Sequence, residues 1–290
     1  MTQGTKKPIQ YDDLFNVLRN IQGRDERFYF FLSACENGNL QICQLCLEVW
    51  GDINIRESRY MYTLLNKLVE NGTFTAEVGN WLIDNGADIN MAFSKSNLSI
   101  ACKKGNFQAA KFFIDKGVQI YQYKKDLVPS TLYKAVFGGN CDIVKLLLDL
   151  GVDLEDDVTI TSNPFITSII DKLPNIVELF LQRGANPNIY FDGRTALHLA
   201  VLKRSFEITQ LLLKYNANIN ARLTGNSILF RNNVALTSMD LAILNKDISM
   251  QKLLLSFGGS ASSKDEKMQA LSQCRKNEKA LLVLRNLLES

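Results

Sequence analysis

The sequence predicts an all-α chain, a solenoid of about seven helix-turn-helix repeats with capping helices at its N- and C-termini. Three observations predict it. Small or apolar positions recur as Ala34, Leu68, Ala101, Ala135, Ser168, Ala200 and Ala242, at successive spacings of 34, 33, 34, 33, 32 and 42 residues. A turn motif recurs behind them as Gly86-Ala-Asp-Ile-Asn90, Gly117-Val-Gln-Ile120, Gly151-Val-Asp-Leu154, Gly184-Ala-Asn-Pro-Asn188 and Gly258-Gly259. Between marker and turn the apolar residues keep helical spacing, so each unit is a helix pair that cannot bury both faces alone and needs copies on either side.

The best-formed copy is the sixth, Asp192 to Asn220. Gly193 supplies a tight turn, and Thr195 is placed to cap the next helix because its hydroxyl can accept an orphan backbone N–H. Leu197, Ala200 and Val201 make one apolar face, while Ile208, Leu211, Leu212 and Leu213 make a wider band on the second helix. A period of about 33 residues with helix starts like Thr-Ala-Leu-His-Leu-Ala resembles the ankyrin-repeat family. The resemblance covers residues 28–260, leaving 1–27 as an N-terminal capping helix and 261–290 as C-terminal capping helices.

The elements follow in order. Residues 1–10 are polar, and Tyr11 to Ile21 places Leu14, Phe15, Leu18 and Ile21 on one face, an amphipathic helix fit to cover the edge of the first repeat. In the first repeat, Phe28 to Asn54, Trp50 stands where a helix-ending glycine is usual. A bulky residue resists the left-handed conformation, so the helix is expected to run through Trp50 and Gly51 to take that conformation. The second repeat, Thr63 to Asn90, carries extra residues around Gly72 to Ala76, which solenoids tolerate. The third, Ser96 to Ile120, and fourth, Ser130 to Leu154, are regular. The fifth, Asn163 to Asn188, has Lys172 in a glycine place and Pro174 near the start of its second helix, where proline is tolerated. Before the seventh, Thr237 to Gly259, an insertion falls in residues 221–235.

Composition narrows the function. A net charge of +3 is too small to imply nucleic acid or membrane, and no run of about eighteen apolar residues exists. Six scattered cysteines show no disulfide framework, which fits reduced thiols in the cytoplasm, and Met1 to Gln10 has no apolar segment after it to make a secretory signal.

No catalytic or metal constellation and no cofactor motif is found. His198 is the single histidine and is expected to brace adjacent turns by hydrogen bonding. Cys43-x-x-Cys46 with Cys35 fills small apolar positions of the first repeat and reads as core. Asp153, Glu155, Asp156 and Asp157 lack the calcium-loop pattern.

The ankyrin resemblance implies a non-catalytic protein-interaction scaffold that binds a partner protein through first helices and finger loops, with no membrane role. Two groups stand out on that surface. One is the aromatic and basic set Tyr60, Tyr62, Phe93, Tyr121, Tyr123, Lys124 and Lys125, since exposed tyrosines favour interfaces. The other is Ile228, Leu229, Phe230 and Arg231, an apolar run on a loop of turn formers. The partner is expected to be a protein with an acidic segment and the chain a monomer. A homo-oligomer and a nucleic-acid-associated adaptor using the basic fingers are the alternatives, and the divergent repeats look similar to bacterial effectors and viral host-interaction proteins.

Overall fold

The computed structural model describes residues 11–91, 95–120, 130–154, 163–223 and 236–265. The chain divides into two compact units, residues 1–143 and 144–290.

In the first unit α1 (Tyr11–Asn20) precedes the pair α2 (Arg24–Glu36) and α3 (Leu40–Trp50). Next come α4 (Leu64–Asn71), α5 (Ala76–Asp84), α6 (Asn97–Lys103), α7 (Phe107–Asp115) and α8 (Thr131–Phe137), and the division falls inside α9 (Cys141–Asp149). First helices pack on first helices, α2 on α4, α4 on α6 and α6 on α8, while the second helices α5 and α7 also touch. The second unit repeats the plan. It contains α10 (Pro164–Ile170), α11 (Pro174–Gln182), the strands β1 (Tyr190–Phe191) and β2 (Arg194–Thr195), α12 (Ala196–Leu202), α13 (Phe206–Lys214), α14 (Ser238–Leu244) and α15 (Ile248–Ser256). Here α10, α12 and α14 stack in sequence, and α11 packs on α13.

Local chemistry explains the spacing. Six first helices start on a side-chain cap at the same place in the repeat: Thr63, Ser96, Ser130, Asn163, Thr195 and Thr237 each accept a backbone N–H. Without such caps the first N–H groups of short buried helices would be orphaned. The turn between the two helices of a repeat always contains a left-handed residue. Glycine fills it in the first four repeats (Gly38, Gly72, Gly105, Gly139), but Lys172, Arg204 and Lys246 fill it in the last three, at φ 57°, 53° and 53°. The expectation at Lys172 therefore extends to two further cationic residues, and the turn keeps its geometry at the expense of side-chain strain.

The α3 helix does run through Trp50, and Gly51 takes the left-handed C-cap at φ 67°. The Trp50 indole turns back instead, donating to Leu18 O at 3.2 Å and so tying α1 to α3, with Leu18 fully buried. Pro174 occupies the first turn of α11. Two local details depart from a purely helical plan: an isolated bridge joins Arg56 to Thr63, and Asp192 and Gly193, both at positive φ, form a two-residue hairpin turn that pairs β1 with β2.

Asparagines join successive turns. Asn54 donates to Gly86 O and accepts from Asp88 N, Asn90 accepts from Gln119 N, Asn188 accepts from Asn218 N, and Asn220 accepts from Ser260 N. Each sits at the end of the recurring turn motif, so one side chain satisfies the backbone of the following repeat.

Candidate interaction surface

The hairpin 56–63 in the first unit is the part of the candidate surface that the described residues contain. Its stem is the bridge between Arg56 and Thr63, closed by Glu57 N donating to Tyr62 O at 3.1 Å. Met61 at φ 58° turns the chain over. Two contacts dock the hairpin on α2: Ser58 N donates to Asp25 Oδ1 at 2.8 Å, and Tyr29 Oη donates to Glu57 Oε2 at 2.8 Å. Glu57 is 2% exposed and also pairs with Lys67 at 3.5 Å. A buried carboxylate holding two donors from two helices is a rigid peg, because breaking one partner leaves a charge uncompensated.

The structure brings the two tyrosines together, with ring centroids 6.0 Å apart, but exposes them unequally. Tyr60 is 50% exposed, with the Arg59 guanidinium over its ring at 4.9 Å. Tyr62 is 7% exposed: its hydroxyl accepts from Lys95 Nζ at 2.9 Å, and Lys67 and Lys95 lie over its ring at 5.4 and 5.6 Å. Tyr62 is thus corrected from a contact residue to a structural one, since two ammonium groups and a hydrogen bond already consume its ring and hydroxyl. The Tyr62 bond raises the Lys95 pKa, which keeps the ammonium charged.

Three residues not singled out in the sequence complete this surface. Ser58 and Arg59 are exposed beside Tyr60, and Tyr29 is 48% exposed with its pKa raised by the bond to Glu57. Tyr29 is hidden in the run Phe28-Tyr-Phe-Phe31, where every ring reads as core. Only the hairpin, which supplies Glu57, gives its hydroxyl a partner.

The remaining candidates, Phe93, Tyr121, Tyr123, Lys124, Lys125, Ile228, Leu229, Phe230 and Arg231, lie outside the described residues. So do Glu155, Asp156, Asp157 and residues 266–290 of the C-terminal capping helices expected over 261–290. Their flanks are described. Ile120 O accepts from Thr131 Oγ1 at 3.1 Å, and Leu223 N donates to Leu236 O at 3.0 Å across the base of the insertion. His198 Nε2 reaches the same Leu236 carbonyl at 3.2 Å, while Nδ1 accepts from Thr195 N at 3.1 Å. The lone histidine therefore braces adjacent turns, and burial lowers its pKa to about 4.

Other groups are engaged in structure. Lys104 pairs with Glu70 at 3.4 Å, and Lys103 lies over the Phe137 ring at 5.7 Å. Among the described residues no group of three or more His, Cys, Asp or Glu is placed to hold a metal ion, and no helix is long and apolar enough to cross a membrane. A cleft of about 200 Å³ between Phe165, Phe180 and Ile189 falls below the roughly 300–1,000 Å³ of small-molecule sites.

Comparison with known proteins follows the same lines. The family model for ankyrin repeats in three copies matches residues 31–126, 73–157 and 132–223. An ankyrin repeat protein of Rickettsia felis is 27% identical over 148 residues, 44% of this chain and 66% of that protein. One from fowlpox virus is 32% identical over 87 residues, 30% of this chain and 18% of that protein. The chain thus spans less than two thirds of the length of these relatives. The crystal structure of the human ASB11 ankyrin repeat domain superposes with a TM-score of 0.65 at 20% identity, covering 80% of this chain and 99% of that one.

Proposed function

The chain belongs to the ankyrin-repeat family, and from that premise we propose that it is a non-catalytic scaffold which binds a partner protein through first helices and finger loops. The observation that carries this reading is the Ser58-Arg59-Tyr60 tip, exposed yet held by the buried Glu57 peg and by Asp25. A surface ordered before binding loses little entropy on association. Tyrosine and arginine are also the residue types that dominate interface energetics.

The partner is a protein with an acidic segment, met by Arg59 and by the basic finger Lys124-Lys125. Nucleic acid is the weaker occupant because Lys103 and Lys104 already serve Phe137 and Glu70. Tyr60, Phe93, Tyr121, Tyr123 and Ile228 to Arg231 complete the proposed contact set. A host-directed role is supported by the bacterial and viral sources of similar chains. Cytoplasmic residence is supported by Cys35, Cys43, Cys46 and Cys102, which stand as thiols outside any disulfide.

The test is affinity capture with intact protein, an Arg59→Glu/Tyr60→Ala variant, a Tyr121→Ala/Tyr123→Ala variant and a deletion of residues 227–232. The reading expects each change to deplete the captured set while the melting temperature holds. An unchanged captured set in all three would overturn it. Light scattering on the eluted protein separates a monomer from a homo-oligomer.

A further inference from the structure

The first repeat holds two thiols that face each other. Cys35 on α2 and Cys43 on α3 place their sulfurs 3.6 Å apart, and both are buried. Cys46 lies one turn beyond Cys43 and is buried as well.

The two sulfurs are not equivalent. Cys43 sits near the start of α3, where the helix N-terminus favours negative charge, and it shares a hydrogen bond with Cys35 in which either sulfur can donate. That hydrogen bond holds the Cys43 thiol below its ordinary pKa and pushes Cys35 up. Burial pushes Cys46 and Cys102 up to about 12, which leaves them poor nucleophiles.

We propose that Cys35 and Cys43 form a peroxide-sensitive dithiol that closes to a disulfide clamping α2 to α3. Cys43 Sγ attacks one oxygen of hydrogen peroxide, the O–O bond breaks, and the departing hydroxide takes up the thiol proton as water. Oxidation of Cys43 removes the thiol hydrogen bond that pushes Cys35 up, so Cys35 Sγ then attacks the sulfenic sulfur of Cys43, the S–O bond breaks, and a second water leaves with the Cys35 proton. Two thiols are oxidised and one peroxide is reduced to two waters. A disulfide needs sulfurs about 2.05 Å apart, so closure asks for an approach of about 1.5 Å, within the reach of side-chain rotation. Because both thiols are buried, peroxide meets them during local openings of the repeat, and the rate is set by that opening.

The experiment treats the native full chain with hydrogen peroxide, alkylates the remaining thiols, and maps linkages by mass spectrometry. Trypsin leaves Cys35, Cys43 and Cys46 on one peptide, so digestion must cut after Glu36 and after Leu45. The expected result is a mass loss of two hydrogens, a Cys35–Cys43 linked peptide, alkylated Cys46 and Cys102, and a raised melting temperature that dithiothreitol reverses. Cys35→Ala and Cys43→Ala should each abolish the link. The wild-type map decides alone if a variant fails to fold. Consumption of both thiols without a link, or a dominant link to Cys46, overturns the proposal.

Discussion

At the third residue of α12 stands His198, and at the same place in α14 stands Asp240; both are fully buried. Each closes a capping box with the threonine three residues earlier, and each reaches forward to the next loop. His198 uses Nδ1 as acceptor from Thr195 N and Nε2 as donor to the Leu236 carbonyl. Asp240 accepts from Thr237 N at 2.9 Å and Thr237 Oγ1 at 3.0 Å, and from Ser262 N at 3.0 Å with Ser262 Oγ beside it. In the second repeat Asn66 does the same work, accepting from Thr63 N and donating to Asn97 Oδ1 at 2.6 Å. In these three repeats the place carries an acceptor facing the cap, whereas in α10 it carries Ile166 and the cap rests on Asn163 alone. The forward partner can be donor or acceptor, provided the next loop offers its complement.

The largest effect should come from removing the acidic version. Asp240→Ala strands buried donors of Thr237 and Ser262 and is expected to lower stability by roughly 3–4 kcal/mol, read as a shift in the urea midpoint. Acid should separate the two repeats next. His198 has a folded pKa of about 4 against 6.5 unfolded, so its neutral form contributes fully above pH 6.5. As pH falls below 6.5 the unfolded chain takes the proton first, and stability on the order of 3 kcal/mol is lost between pH 6.5 and 4. Urea midpoints of wild type and His198→Asn across that window check it, since the asparagine variant should lack this component. At pH 7.5, His198→Asn should cost only about 1 kcal/mol, because an amide can accept from Thr195 and donate to Leu236 as Asn66 does toward its own partners. The smallest effect is favourable: Lys172→Gly relieves a left-handed lysine and should raise stability by about 1 kcal/mol.

Most of the fold was legible because the repeat is local. Caps, turn glycines and helix faces recur at fixed offsets, and even the exception at Trp50 and Gly51 follows from which residue tolerates positive φ. Arg204 and Lys246 escaped because nothing in a cationic side chain announces a left-handed turn; the neighbouring repeats impose it. The surface was less legible. Tyr60 and Tyr62 look alike two residues apart, and only the arrival of Lys67 and Lys95 makes one ring core and leaves the other exposed. Tyr29 and Glu57 are 28 residues apart in sequence, so their contact is a product of the fold.

Contact and architecture should rest on different residues, and capture measured beside stability tests this most directly. Below the unfolding temperature, Arg59→Glu/Tyr60→Ala should lose captured partner at an unchanged urea midpoint, while His198→Asn should lower the midpoint and keep the partner. Retained capture in the first variant at an unchanged midpoint, or lost capture in the second while it remains folded, would contradict that separation.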